Sequence, residues 1–236
     1  MSRWLKMRVT AICLCVAIWS VASAEVLDVY FLRHAQTMAN VTREYTEENQ
    51  RTFSPLGEVQ VDEVTEKLAD LHFDVVIVSP AWRAQRTILP YLKERGLQAE
   101  IWPELYECCW DRETEEEEPA LITTSRIELE DDVRAYIRFR DAEAVYMFDV
   151  DTPARGDLMV ARAVELIEAR FGGSGKTVLV VAHYHTGSRL LTALLADDSP
   201  RVIRPANARL SHVRQDPDGQ FRLLMLNDED VDHGNF

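Results

Sequence analysis

Two histidines and two arginines stand where short apolar runs end. Arg33 and His34 close the run Val26 to Leu32, Arg83 lies four residues beyond Ser79 at the end of Asp74 to Ser79, and His183 follows Thr177 to Ala182. An unprotonated histidine ring offers a nucleophilic nitrogen near neutral pH. Guanidiniums offer planar donor forks to anionic oxygens. In combination these residue types suit chemistry on a small anion, with one imidazole attacking and the arginines holding charge. A metal site built on His183 and His185 is not expected, because that pair has no recognisable carboxylate partners in the sequence.

Such distant residues act together only if the fold gathers them. Val26 to Leu32, Asp74 to Ser79 and Thr177 to Ala182 are rich in valine and isoleucine, the composition of strands covered on both faces. Between them, Leu56, Val59, Val64, Leu68 and Leu71 follow a Ser54-Pro55 start. Ala84, Ile88 and Leu92 form a second helical pattern, and Leu158, Ala161, Val164, Ile167 and Phe171 a third. Gln98 to Trp102 reads as a further short strand, and Ala208 to Gln215 with Gln220 to Leu226 as a terminal hairpin through Asp216-Pro217-Asp218-Gly219. The prediction is an α/β fold, a three-layer α/β/α sandwich whose mostly parallel sheet has an antiparallel hairpin at its C-terminal end. Parallel strands bind ligands at their carboxyl ends, where all four residues fall, and helices starting near Pro80 and Thr186 would aim N–H groups there.

Three basic residues, Arg3, Lys6 and Arg8, precede the apolar run Val9 to Val21, which ends in Ala22-Ser23-Ala24. This is the build of a signal peptide, residues 1–24, and makes residues 25–236 a single exported domain with no stable membrane insertion expected after cleavage; the alternative is a segment retained as an N-terminal anchor or buried as a helix. Loss of those three charges takes the net charge from −14 to −17. So acidic a surface argues against nucleic acid as a partner, but not against one small anion held locally. Cleavage also removes Cys13 and Cys15. Only Cys108 and Cys109 remain, so no disulfide framework is expected, and two packed thiols are expected in preference to a redox pair.

Residues 111–151 change character. The acidic run Glu115 to Glu118 opens them and a helix is predicted around Asp131 to Arg140, so this segment reads as an insertion that lids the pocket. Gly172-Gly173-Ser174-Gly175 before Lys176-Thr177 reads as a helix stop. A phosphate-binding loop would follow a strand and open a helix, the reverse of the order here.

Arg33-His34-Ala35-Gln36-Thr37 with Asn40 resembles the Arg-His-Gly-Glu-Thr-x-x-Asn signature of the histidine phosphatase superfamily, which includes cofactor-dependent phosphoglycerate mutases. Ser54-Pro55-Leu56-Gly57 resembles the opening of that family's first helix. Ser79 to Thr87 resembles its Ser-x-x-x-Arg-Ala-x-x-Thr motif, and Leu105-Tyr106-Glu107 its Leu-x-Glu element. Gly156-Asp157 with Arg162, Val180 to His183, and Asn207 follow in the family's order. Ala35 stands where glycine is usual. Tyr184 stands where a His-Asp variant has its acid, so that variant does not apply.

The resemblance implies a phosphohistidine on His34, phosphate binding by Arg33, Asn40, Arg83 and His183, acid–base work by Glu107, and a catalytic place for His183 as a donor to the phosphoryl oxygens. It implies no metal and no cofactor, and a small-molecule phosphate ester as partner. His34 then needs its second nitrogen held by an acceptor, expected to be a backbone carbonyl. Readings that compete with hydrolysis are a mutase-like phosphotransferase and a phosphate-ester-binding protein that has lost turnover. The acidic insertion points to a neutral or amine-bearing leaving group.

Overall fold

The computed structural model describes residues 25–109, 120–196 and 203–231. Residues 1–24, expected to form a signal peptide, and the run Glu115 to Glu118 lie outside the described residues. In chain order the elements are β1 (Leu27–Arg33), α1 (Met38–Thr42), α2 (Glu47–Gln50), α3 (Pro55–Ala69), β2 (Val75–Val78), α4 (Trp82–Arg95) and β3 (Ala99–Ile101), followed by a 3-10 turn at Pro103–Leu105. Then come β4 (Thr123–Arg126), β5 (Ile137–Phe139), β6 (Tyr146–Phe148), α5 (Pro153–Phe171), β7 (Thr177–Ala182), α6 (Tyr184–Leu195), β8 (Leu210–Gln215), β9 (Phe221–Leu226) and β10 (Glu229–Asp230).

The main sheet has the order β10-β9-β8-β1-β7-β2-β3-β5. From β1 to β5 every pairing is parallel, and β8, β9 and β10 add an antiparallel end. Because β7 inserts between β1 and β2, the three strand ends that carry the chemistry lie side by side. At the centre of the sheet both faces are buried, which is why β2 and β7 read as nearly unbroken apolar runs. Along β7, Val178, Val180 and Ala182 join the core shared with α5 and α6, whereas Leu179 and Val181 face the core shared with α3 and α4. The result is the expected α/β/α sandwich.

Local signals set the helices. Ser54 Oγ accepts from Gly57 N–H at 3.0 Å with Pro55 at the first helical position of α3, and Thr152 caps α5 before Pro153 in the same way. Gly187 lets α6 lie against β1, since a Cβ there would sit 2.1 Å from the Phe31 ring. α5 ends at Phe171, and Gly173 and Gly175 take positive φ on the way to β7, so the glycine cluster is a helix stop.

The segment from 120 onward corrects two expectations. No helix forms over Asp131 to Arg140. Residues 131–136 are turns, Ile137 N–H bonds to Val133 O, and β5 pairs in parallel with the free edge of β3, placing Ile137 opposite Ala99. Val133 and Ile137 suit a helical face by spacing, but both are buried against that edge, and covering it satisfies backbone groups that a helix would leave unpaired. The second correction concerns the cysteines. Cys108 and Cys109 are buried and bonded to each other as a disulfide rather than being two thiols. Cys109 adopts a left-handed φ of 64°, which lets consecutive residues turn their sulfurs together.

Candidate active site

β1 and β7 stay in register to their ends, Arg33 opposite Ala182, and His34 N–H adds one more bond to Ala182 O at 3.0 Å. That places the next residue of each segment side by side. The rings of His34 and His183 lie 5.2 Å apart between centroids, and both side chains are buried. Nδ1 of His34 is 2.7 Å from the carbonyl oxygen of Ala35. A carbonyl only accepts, so Nδ1 carries the proton and Nε2 keeps its lone pair. Burial, together with the charges of Arg83 and Arg33, holds the His34 pKa well below the usual histidine value, which keeps the ring neutral.

The loop carrying His34 is tied to the helix carrying Arg83. Ala35 N–H donates to Thr87 Oγ1 at 2.9 Å, and that hydroxyl donates to Arg83 O at 2.7 Å. Ala35 itself is buried and does not take a positive φ, so alanine meets no backbone penalty in a position where glycine is common.

Arg33 donates from Nη1 to Pro205 O at 3.0 Å, and its guanidinium lies 5.0 Å over the Tyr184 ring. Its Nε is buried without a hydrogen-bond partner. Arg83, 9% exposed, donates to Gln50 Oε1 at 3.3 Å. Burial lowers the pKa of both guanidiniums, and the charge of Glu107 opposes that shift. Among the described residues neither is in ion-pair contact with a carboxylate. A buried cation, Arg83, and a part-buried one, Arg33, therefore lie near each other without a contacting protein anion, an arrangement that favours an anionic ligand.

His183 completes the wall. Its Nε2 is 2.7 Å from Ser79 Oγ, which also accepts from Ala81 N–H, while its Nδ1 is buried with no partner. The tautomer in which the Ser79 hydroxyl donates to Nε2 leaves Nδ1–H free to donate. Burial first, then Arg83, His34 and Arg33, hold this ring neutral too.

Glu107 reaches the same place from the loop after the 3-10 turn. One oxygen accepts from His185 N–H at 3.0 Å and Thr186 N–H at 3.3 Å, the first turn of α6, where the helix dipole favours a carboxylate. Asn40 sits nearby as the third residue of a capping box. Its Oδ1 accepts from Thr37 N–H at 3.0 Å and from Asn207 Nδ2 at 3.4 Å, and Asn207 also donates to His34 O at 2.8 Å. The six residues singled out from the sequence thus meet at one sheet edge. Gln50 and the platform made by Tyr184 were not singled out. Gln50 lies in a short helix with no sequence signal linking it to Arg83, and Tyr184 gains its role only by lying under Arg33.

Among the described residues no group of three or more histidine, cysteine, aspartate or glutamate side chains is arranged to hold an ion.

A family model described as histidine phosphatase superfamily (branch 1) matches residues 29–229. The fold is similar to that of an alpha-ribazole phosphatase from Shigella flexneri, with a TM-score of 0.59 and 19% identity over 87% of this chain and 100% of that one. A phosphoglycerate mutase from Bacillus anthracis str. Sterne gives 0.58 and 16% over 87% and 95% of the two chains. A phosphoserine phosphatase variant from Entamoeba histolytica, in complex with phosphoserine, gives 0.58 and 15% over 85% and 96%. Among curated proteins none matches by sequence.

Proposed function

This chain belongs to the histidine phosphatase superfamily, and from that premise we propose that it is an exported, metal-independent phosphate-monoester hydrolase acting through a phosphohistidine on His34. The observation that carries the reading is the pairing of a neutral, oriented His34 with the buried guanidinium of Arg83, the part-buried guanidinium of Arg33 and the unpartnered Nδ1 of His183. Phosphoryl transfer needs placed charge more than covalent assistance, and these groups supply it without a metal.

In the first step Nε2 of His34 forms a bond to phosphorus while the ester P–O bond breaks. The departing oxygen takes a proton from Glu107. In the second, Glu107 takes a proton from water, the water oxygen bonds to phosphorus, and the P–N bond breaks. Inorganic phosphate leaves and neutral His34 is restored. Arg33, Arg83, Asn40 and His183 hold the transferred oxygens in both steps. Each proton transfer is worth about 10²–10⁴-fold.

The test uses residues 25–236 with p-nitrophenyl phosphate. The expected result is release of phosphate by the wild type with or without a chelator, and none by His34→Ala. Undiminished release by His34→Ala overturns the reading, and loss on chelation revives a metal-dependent one. Tight phosphate binding without turnover by the wild type would make it a binding protein. The similarity to a phosphoglycerate mutase keeps phosphotransfer as a second reading; interconversion of phosphoglycerates in the presence of a bisphosphate primer would favour it. Export is checked by sequencing the N-terminus of protein from the periplasmic or secreted fraction, which should begin at Glu25.

A further inference from the structure

We propose that the Cys108–Cys109 disulfide is a positioning device for the Glu107 carboxylate, so that breaking it impairs proton delivery to the leaving group while sparing phosphate binding. The inference rests on reading Glu107 as the acid. It goes beyond that reading in assigning a role to two residues outside the phosphate pocket.

A bond between the sulfurs of consecutive residues closes an eight-membered ring that includes their shared peptide bond. The backbone directly after Glu107 thereby loses most of its torsional freedom, and Cys109 is held at a φ of 64°, a region that non-glycine residues seldom occupy. The ring is wedged between the two helices that frame the acid. On the α5 side, the Cβ absent from Gly156 would lie 2.7 Å from Cys109 Sγ and 2.9 Å from Cys108 Cβ. On the α6 side, Thr186 Oγ1 donates to Tyr106 O at 2.6 Å and lies 3.6 Å from Cys108 Sγ. The same first turn of α6 donates N–H groups to Glu107. Residues 106 to 108 and the start of α6 therefore grip each other at three points, and the carboxylate projects from that grip toward Arg33 and Arg83.

Two unbonded sulfurs do not fit this wedge. Non-bonded heavy atoms settle about 3.5–4.0 Å apart, and Gly156 is already in contact with both cysteines. Separation of the sulfurs must displace the chain on which Glu107 sits, or the α6 turn that holds it. Reduction by a dithiol would do this with balanced electrons. One reductant thiolate attacks a cysteine sulfur and breaks the S–S bond, giving a mixed disulfide. The second reductant thiolate then displaces that cysteine, leaving two cysteine thiols and an oxidised, cyclic reductant.

The reactivity of the leaving group separates positioning from general damage. p-Nitrophenolate departs without a proton, whereas an alkoxide needs one. In Cys108→Ala/Cys109→Ala, kcat/KM for an alkyl phosphate should fall about ten-fold or more relative to kcat/KM for p-nitrophenyl phosphate, part of the general-acid contribution. Inhibition by inorganic phosphate should stay within about two-fold of wild type, the ordinary scatter for an unaltered pocket. Glu107→Gln is the companion variant. A selective loss in Glu107→Gln with none in the double cysteine variant overturns the disulfide's role alone, whereas no selective loss in Glu107→Gln overturns the acid assignment beneath it. Equal loss on both substrates together with lost phosphate binding also overturns the proposal, because the ring would then be supporting the whole pocket. Should the double variant fail to fold, the wild type is the second arm, with thiols counted after denaturation in an alkylating reagent. The form with no thiols should show full alkyl-phosphate turnover, and the dithiol-treated form with two should show the selective loss. Full turnover by a form with two free thiols overturns the inference.

Discussion

At the scale of single residues, the site depends on keeping two imidazoles neutral beside two cations. On the proposed mechanism, protonation of His34 would occupy Nε2 and remove the nucleophile, so activity should be lost as pH falls through its pKa. Burial, Arg83 and Arg33 all push that pKa down from the usual 6.5. The acid limb of kcat/KM attributable to this group is therefore expected well below pH 6.5. In Arg83→Met the limb should move upward as one of the depressing charges is lost, while activity drops about 10²–10³-fold through loss of a charge-stabilising donor. A pH–rate profile of both proteins checks this; an unshifted limb would show that Arg83 does not set the titration of His34. The sequence made these residues legible because their types and order carry the chemistry. It did not show that Ser79 would orient His183 or that Gln50 would meet Arg83, since those bonds join residues 104 and 33 positions apart.

At the scale of elements, the segment after the 3-10 turn is fastened by buried charge. Glu104 is 1% exposed and accepts two bonds from Arg140, at 2.9 and 3.2 Å, while the Arg140 guanidinium lies 5.0 Å from the centre of the Trp102 ring. Arg162 Nε lies 3.4 Å from the same carboxylate. Removal of one partner leaves a buried charge only partly compensated, a loss of about 3–5 kcal/mol for a fully buried pair. Arg140→Met should approach the lower end of that range because Arg162 remains, and Glu104→Gln/Arg140→Met should cost less than the sum of the single changes. Urea unfolding of the three variants measures this, and additive losses would mean that the two side chains are not coupled. The helix predicted over Asp131 to Arg140 failed at this same scale. Val133, Tyr136 and Ile137 satisfy helical spacing, but the unpaired edge of β3 offers backbone partners that periodicity cannot reveal. Glu130 and Asp132 also reach back to Arg86, and Glu130 to Arg51, so the segment packs beside α4, the helix that carries Arg83.

At the scale of the whole molecule, the proposed function asks an acidic protein to hold an anion. The net charge is −14 for the full sequence, yet charges beyond about 10 Å are largely screened at ordinary ionic strength. Arg33 and Arg83 act at contact distance and from within the fold, so the local term dominates. Inorganic phosphate should then stabilise the native state. At about 100 times its Kd the gain is about 2.7 kcal/mol, or a rise in Tm of roughly 5–11 °C for a domain of this size. His34→Ala should retain most of the shift and Arg83→Met should lose most of it. Thermal unfolding with phosphate, against sodium chloride at equal ionic strength, provides the measurement. A shift of equal size in Arg83→Met would place the anion elsewhere.

The sequence by itself determined the layers and the chemical core. Strands buried on both faces must be continuously apolar, helices covering them must repeat with a helical period, and a nucleophile with its cations must be of particular residue types. Tertiary structure decided what depends on partners remote in the chain. It set β7 between β1 and β2, gave β5 to the sheet in place of a helix, and left the Nδ1 of His183 without a protein partner. It also bonded two neighbouring cysteines that adjacency argued against, because the left-handed backbone at Cys109 and the bare Cα of Gly156 are properties of the packed chain.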